Sequence, residues 1–440
     1  MNKPRFVISS PFDTFSGYGA RSRDIIKSII ELDKYEVQLL PQRWGSTAWG
    51  FCKSHPEWSF LEKHIVTPEW NKTQPDIWMQ ITIPNEFQPV GKYNIGCTAG
   101  IESTACKPEW IEGLNRMNMN WVSSKHTKKV FETMSYEKKS QQTGQLLGII
   151  KNEKPIHVVF EGANLNLYKS LPKGNNLDLK EIKENFNYLF VGHWMQGNIG
   201  HDRKNVGFMV KAFLETFKNR KHKPGLILKT SIGVESYMSR DEVLRKISEI
   251  KKTVNSKDLP NIYLINGSFS DEEINKLYHH PKVKSMVSLT KGEGFGRPLL
   301  EFSLTGKPII ATDFSGHTDF LKSKFTTLLP GELENVHASA ANQWLIPESQ
   351  WFKVSGAHVG QAFTNVFSNY SKFKNQSKQQ AKYSKSNFSW GKMKELIENI
   401  LVANIPDFPK QISLSLPSLK KNSPKPQLPK LNLPTLKKVK

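Results

Sequence analysis

Short runs of apolar residues alternate along this chain with longer stretches in which apolar positions return every three or four residues. The short runs, bounded by polar turns, read as buried strands, and the longer period reads as helix. The first half gives strands at Phe6–Ser9, Val37–Leu40, Ile77–Ile81, Asn94–Thr98, Trp121–Ser123 and His157–Phe160. Between them come a helix with Ile25, Ile26, Ile29 and Ile30 on one face, then Glu109–Met117 and Lys125–Met134. The polar segment Ser135–Glu153 interrupts the alternation and is expected to be a surface loop or irregular helix. The second half gives strands at Tyr188–Val191, Leu226–Lys229, Ile262–Ile265, Val283–Leu289 and Pro308–Ala311. Helices at Val206–Phe217, Asp241–Thr253 and Asp271–Tyr278 interleave with them. Strands and helices taking turns predict an α/β protein whose parallel sheets are covered by helices.

At 440 residues the chain exceeds one ordinary core and has room for two such domains. The linker-like Pro172-Lys173-Gly174-Asn175-Asn176 places the boundary, giving Rossmann-like domains at 1–175 and 176–385. Ligand is then expected at the strand C-termini between them. Phe388-Ser389-Trp390 opens a further helix over 386–405, with Met393, Leu396, Ile397, Ile400 and Leu401 at helical spacing. From 406 to 440 the character changes. Leu-Pro-Ser-Leu-Lys-Lys at 416–421 returns as Leu-Pro-Thr-Leu-Lys-Lys at 433–438, and proline at this density predicts a disordered, extended tail.

Charge narrows the partners. The formal net charge is +22, of which the tail's eight lysines and one aspartate supply +7, so the body is basic too. Such an excess suits polyanions, whether DNA, an anionic membrane surface or phosphorylated substrates, and it also suits plain solvated lysine faces. No apolar run approaches the roughly 20 residues of a membrane span. The apolar stretch Phe6-Val7-Ile8 is too short for a signal peptide. A cytoplasmic protein, peripheral at most to membrane or nucleic acid, is the expectation; the oligomeric state stays open. Cys52, Cys97 and Cys106 are few and odd in number, as a reducing compartment permits. Cys52 and His55 have a ligand-like spacing, but no second pair follows, and no metal site is expected.

The segment with the most chemistry is Lys291-Gly292-Glu293-Gly294-Phe295-Gly296-Arg297-Pro298-Leu299-Leu300-Glu301. An apolar strand leads into it, glycines make a loop, and Pro298 stands where a helix would start. Strand, glycine loop and helix N-terminus turn backbone N–H groups toward an anion. Glu293 and Glu301 can both face a ligand at that helix end and accept from its hydroxyls. Two carboxylates spaced in this way around Gly-Phe-Gly resemble the sugar-nucleotide signature of the retaining GT-B glycosyltransferases, family 4. A viral-type member is one form the basic charge suits. The resemblance implies that Glu293 and the Gly294, Phe295 and Gly296 backbone hold the donor sugar, and that Glu301 holds the ribose. The final helix is likewise similar to the one that crosses back onto the first domain in GT-B proteins.

Breaking the bond between a sugar and a diphosphate puts negative charge on the leaving group, which fixed cations and donors stabilise. No Asp-x-Asp pair for a divalent ion occurs, so Arg, Lys and helix ends must meet that charge. Val191-Gly192-His193-Trp194, then Asp202-Arg203-Lys204-Asn205, is similar to the family segment that contacts the diphosphate. Arg203 and Lys204 match it; His193 stands where Arg is usual, and Asn205 where Gly is common. In the first half, Gly17 and Gly19 of Ser16-Gly17-Tyr18-Gly19 would let backbone approach the donor at a helix start. The dinucleotide pattern fails there at Ser22, and no Walker-type loop occurs. Thr98 to Ser103 resembles a cleft segment in which many members carry a His; this chain has none, and Glu102 is the candidate catalytic group beside Glu293. Glu161-Gly162-Ala163-Asn164 resembles the turn ending the first domain, and Gly316-His317-Thr318-Asp319 is expected to border the cleft. Two readings compete. One is a metal-independent glycosyltransferase using a nucleoside-diphosphate sugar and no cofactor, its acceptor either a modified DNA base or a lipid or polysaccharide. The other is an inactive GT-B scaffold that binds nucleic acid.

Overall fold

The computed structural model describes residues 3–172 and 177–408. Residues 173–176 of the expected linker and 409–440 of the expected tail lie outside the described residues, and the described residues up to Ile405 form one compact unit. Its first sheet contains β1 (Arg5–Ser10), β2 (Glu36–Pro41), β3 (Ile77–Ile81), β4 (Tyr93–Cys97) and β5 (Met119–Val122). A separate hairpin follows, β6 (Ser135–Lys139) with β7 (Leu146–Lys151), and β8 (Ile156–Val158) then returns to the sheet. The second sheet contains β9 (Asn187–Val191), β10 (Gly225–Lys229), β11 (Ile262–Ile265), β12 (Val283–Ser288), β13 (Ile309–Thr312) and β14 (Thr327–Leu329). A last hairpin pairs β15 (Gly331–Asn335) with β16 (Gln350–Val354).

Both six-stranded sheets are parallel throughout, in the orders β2-β1-β3-β4-β5-β8 and β11-β10-β9-β12-β13-β14. Their strands are apolar on successive residues because helices cover both faces. In the second sheet, the helix Val206–Phe217 packs into one core, with Phe213 and Phe217 against Tyr188 and Phe363. The helix Arg297–Ser303 packs into the opposite core, with Leu299, Leu300 and Phe302 around Leu189 and Met286. Neighbouring strands β9 and β12 thus send their helices to opposite faces. That divergence opens a crevice at their C-terminal ends.

The helix Trp390–Asn404 returns to the first half, as its likeness to the GT-B crossover helix implied. Lys394 pairs with Glu31 at 3.1 Å, Glu398 with Lys34 at 2.8 Å, and Trp390 lies edge-on to Trp58. The expectation for Ser135–Glu153 needs correction, since this segment is an antiparallel hairpin. Tyr136 and Ile150 face each other in register and pack on the first-half core, and the Tyr136 hydroxyl donates to Cys106 O. Two half-buried anchors on paired strands outweigh a sequence that is otherwise polar. The helices Gly356–Ser368 and Tyr370–Asn387 were not anticipated either. Cys52, Cys97 and Cys106 are all buried free thiols.

Candidate functional site

The glycine loop lies where β12 ends, beside the loop that follows β9. That second loop is fixed from below by Asp202, fully buried, whose Oδ1 accepts from Val206 N–H at 3.3 Å. Asn205 sits in the left-handed region (φ 56°), the conformation that makes Gly common there and that Asn tolerates better than most residues. The turn projects Arg203 and Lys204 at the glycine loop. Arg203 Nη1 donates to Gly292 O at 2.8 Å and stands 3.6 Å from Glu293 Oε2, while Nη2 is 3.5 Å from Glu102 Oε1. Lys204 Nζ donates to Glu293 Oε1 at 2.5 Å. Burial pushes the Glu293 carboxyl up, but Lys204 and Arg203 more than offset it and hold it at about 2. Glu293 is an ionised carboxylate across the physiological range.

Gly296 caps the following helix at φ 96°, a conformation that costs other residues. Glu301, one turn in, is buried; its Oε1 accepts from Arg297 Nε at 3.0 Å and its Oε2 from Tyr278 Oη at 3.5 Å. Burial raises this carboxyl to about 7, with Arg297 countering only in part. The two glutamates that the sequence presents as a pair therefore differ in charge state near neutrality. Arg297 reaches further, with Nη1 at 2.6 Å from Asp24 Oδ2 and 3.7 Å from Glu161 Oε2. One guanidinium so ties the helix Arg297–Ser303 to the first helix and to the turn that ends the first half. The glycine loop is also held by Ser315, whose Oγ accepts from Glu293 N–H at 2.8 Å. Ser315 has φ 73° and ψ −157°, a backbone region that costs a non-glycine residue about 1–3 kcal/mol. Gly316 N–H donates to Glu293 O at 2.9 Å, and Asp319 accepts from Lys125 N–H at 2.9 Å, so Gly316–Asp319 does border the crevice.

The opposite wall is the loop after β4. A Cβ at Gly292 would lie 1.7 Å from Glu102 O, and one at Gly294 2.5 Å from Ala99 O. Ser123 Oγ donates to Gly294 O at 2.9 Å. Glycine is required at 292 and 294 by this close approach of two loops of the chain. The structure thus gathers Glu102, Arg203, Lys204, Glu293 and Gly294 into one cluster of two cations and two carboxylates. Phe295 turns its ring into the core against Phe320, leaving only backbone toward the crevice. His193 is exposed, with Nδ1 at 3.1 Å from Ser231 Oγ, and makes none of these contacts. Gly17 opens onto free space, whereas Gly19 is required by the chain itself, since a Cβ there would meet Thr14 O at 2.4 Å. Among the described residues, no group of three or more His, Cys, Asp or Glu is placed to hold a metal ion. Arg297, Asp24 and Ser315 were not among the expected site residues. The spacing of Arg297 and Glu301 on one helix face was a visible signal, but nothing marked Asp24 as its partner.

Two parallel Rossmann-like sheets with a crevice between them and a returning last helix define the GT-B fold. No family model matches the chain, and no curated protein matches it in sequence. Among solved structures, it is similar to HepE of Anabaena in complex with UDP and glucose, with TM-score 0.57, 12% identity, and 91% of this chain and 100% of that one covered. It is similar also to a sucrose-phosphate synthase of Thermosynechococcus elongatus, with TM-score 0.59, 11% identity, and 91% and 99% covered. A third is the apo form of the lipopolysaccharide outer core galactosyltransferase WaaB, with TM-score 0.53, 15% identity, and 90% and 99% covered.

Proposed function

We propose that this chain is a glycosyltransferase that moves a sugar from a nucleoside-diphosphate sugar to an acceptor hydroxyl, retaining and metal-independent, as in family 4. The observation that carries the reading is the convergence of Arg203 and Lys204 on Glu293, beside a glycine loop where β9 and β12 diverge. Each cation already has a carboxylate partner, so the cluster is neutral and ordered before a donor arrives. An incoming diphosphate takes over Arg203 and Lys204 and frees Glu293 for the sugar hydroxyls. Charge that develops on the leaving diphosphate then meets groups that need no reorganisation. Glu301 accepts from the ribose once ionised, and Glu102, facing the cluster from the first half, stands on the acceptor side. The solved complex of HepE with UDP and glucose supports this reading by its fold. The basic body favours a polyanionic acceptor, such as DNA or an anionic membrane surface.

Thermal-shift titration with UDP-, GDP- and ADP-sugars tests it. A donor at 100 times its dissociation constant adds about 2.7 kcal/mol of stability, and Lys204→Met should abolish that gain. No shift with any nucleotide sugar would overturn the donor-site reading. His193, exposed where the family usually has Arg, favours the rival reading of an inactive nucleic-acid-binding scaffold. That rival predicts DNA binding with no donor shift.

A further inference from the structure

A row of aromatic side chains lies on the loops that follow β1 and β2, outside the cluster described above. Tyr18 and Trp44 stack at 3.9 Å. Phe15 packs edge-on to Phe51 at 5.1 Å, and Phe51 stacks on His55 at 3.9 Å. Trp49 is bridged to Thr14 and has Arg43 5.9 Å from its ring. Phe15 and Trp49 are 44% and 42% exposed, so two large rings on adjoining loops face solvent together. Buried Arg23 supports the row from beneath, lying 3.4 Å under the Phe51 ring and donating to Phe12 O and Thr14 O. It is also joined to the proposed donor site. Tyr18 Oη is 2.9 Å from Thr98 Oγ1 and accepts from Ala99 N–H at 3.1 Å, and Ala99 O is the atom against which Gly294 packs.

Between Pro41 and Pro56 the chain carries Arg43 and Lys53, both exposed, and no carboxylate. Asp13, which the first loop brings here, accepts from Cys52 N–H at 2.8 Å. Exposed rings beside exposed cations suit a ligand that alternates planar ring and phosphate. A neutral saccharide would use the rings but leave the cations without a role. An anionic bilayer would also take exposed rings and cations, and vesicles are therefore one arm of the test.

Resting on the glycosyltransferase reading, we infer that this row is the acceptor subsite, and that it takes a nucleotide unit of a nucleic-acid strand. The base stacks on Phe15 and Trp49, and flanking phosphates meet Arg43 and Lys53. Stacking on such a platform tolerates any base and is worth about 5- to 150-fold in affinity per ring removed.

The test uses the full chain, titrated with a labelled single-stranded DNA oligonucleotide at elevated salt, which suppresses binding through the lysine-rich tail. Phe15→Ser/Trp49→Ser should lose at least about 20-fold in affinity, while Tyr237→Ser, which removes an exposed ring elsewhere, should lose none. Arg43→Ser should lower the salt slope by about one unit. Donor binding, followed by thermal shift with the same nucleotide sugars, should be equal in wild type and variants. Unchanged oligonucleotide affinity in the double variant overturns the inference, as does a wild type that binds no oligonucleotide. A loss confined to a neutral oligosaccharide, or to anionic vesicles, also overturns it and assigns the row to that acceptor. A donor shift absent from every protein sinks the glycosyltransferase reading alone, because the oligonucleotide titration still decides what the row binds.

Discussion

Replacing Arg297 by Met removes the one cation that faces Asp24, Glu301 and Glu161 together, at 2.6, 3.0 and 3.7 Å. Asp24 is only 3% exposed and Glu301 8% in their side chains, so water cannot take over the role of the guanidinium. Removing one partner of a buried ion pair costs roughly 3–5 kcal/mol when the other charge must remain. Here the carboxyls have an escape, which is to take up protons. Burial already lifts Asp24 above its ordinary value, and Glu301 to about 7, with Arg297 still in place. A carboxyl whose folded pKa exceeds its unfolded one makes the fold lose stability as pH climbs between the two values. Without Arg297 that gap widens for both residues, each further unit adding about 1.4 kcal/mol. The deficit of Arg297→Met should therefore be small, about 1 kcal/mol, near pH 5 and should reach about 3–5 kcal/mol near pH 8. Urea unfolding of both proteins at the two pH values measures it. Adding Asp24→Asn to the variant should recover part of the loss, giving a coupling of about 1–3 kcal/mol in the cycle. A deficit equal at both pH values would refute the argument, because the loss would then reflect packing. A coupling near zero would show that the Arg297–Asp24 contact does not join the two halves.

The remaining expectations follow the same cluster outward. Glu301→Ala should raise the donor KM and Glu293→Gln should mainly lower kcat, each by roughly 1.5–3 kcal/mol; wild-type kinetics in both would move the site elsewhere. Because ribose hydroxyls need the ionised carboxylate, the donor KM of the wild type should fall as pH rises through about 7. Glu301→Gln should flatten that profile, and a profile unchanged by the substitution assigns the titration to another group. EDTA should leave transfer unaltered, and full loss that a divalent ion restores would overturn the metal-independent reading. Removing residues 406–440 takes away +7 of charge, so it should raise KM for a polyanionic acceptor and reduce its salt dependence, sparing donor affinity. Identical behaviour on DNA, anionic vesicles and a neutral sugar would exclude the tail from acceptor binding.

The sequence by itself determined the alternation of strand and helix, and with it the two parallel sheets. Residues buried on both faces of a strand leave an apolar run that needs no partner to be recognised, as at Ile77–Ile81 and Tyr188–Val191. It also determined the glycine loop and its two glutamates, because local backbone geometry demands glycine and proline at fixed places. Tertiary structure decided what these groups face. Tyr136 and Ile150 looked like residues of a polar loop until pairing set them side by side against the first-half core. Glu293 and Glu301 are equivalent letters in the chain, yet one is held near 2 by Lys204 and Arg203 and the other is lifted to about 7 by burial. That difference depends on desolvation and on neighbours as distant in sequence as Lys204, 89 residues away, which no local pattern records. Asp24 and Arg297 stand 273 positions apart. Their contact, like that of Gly292 with Glu102, exists only because two separately wound sheets meet, and there the physics is that of an interface.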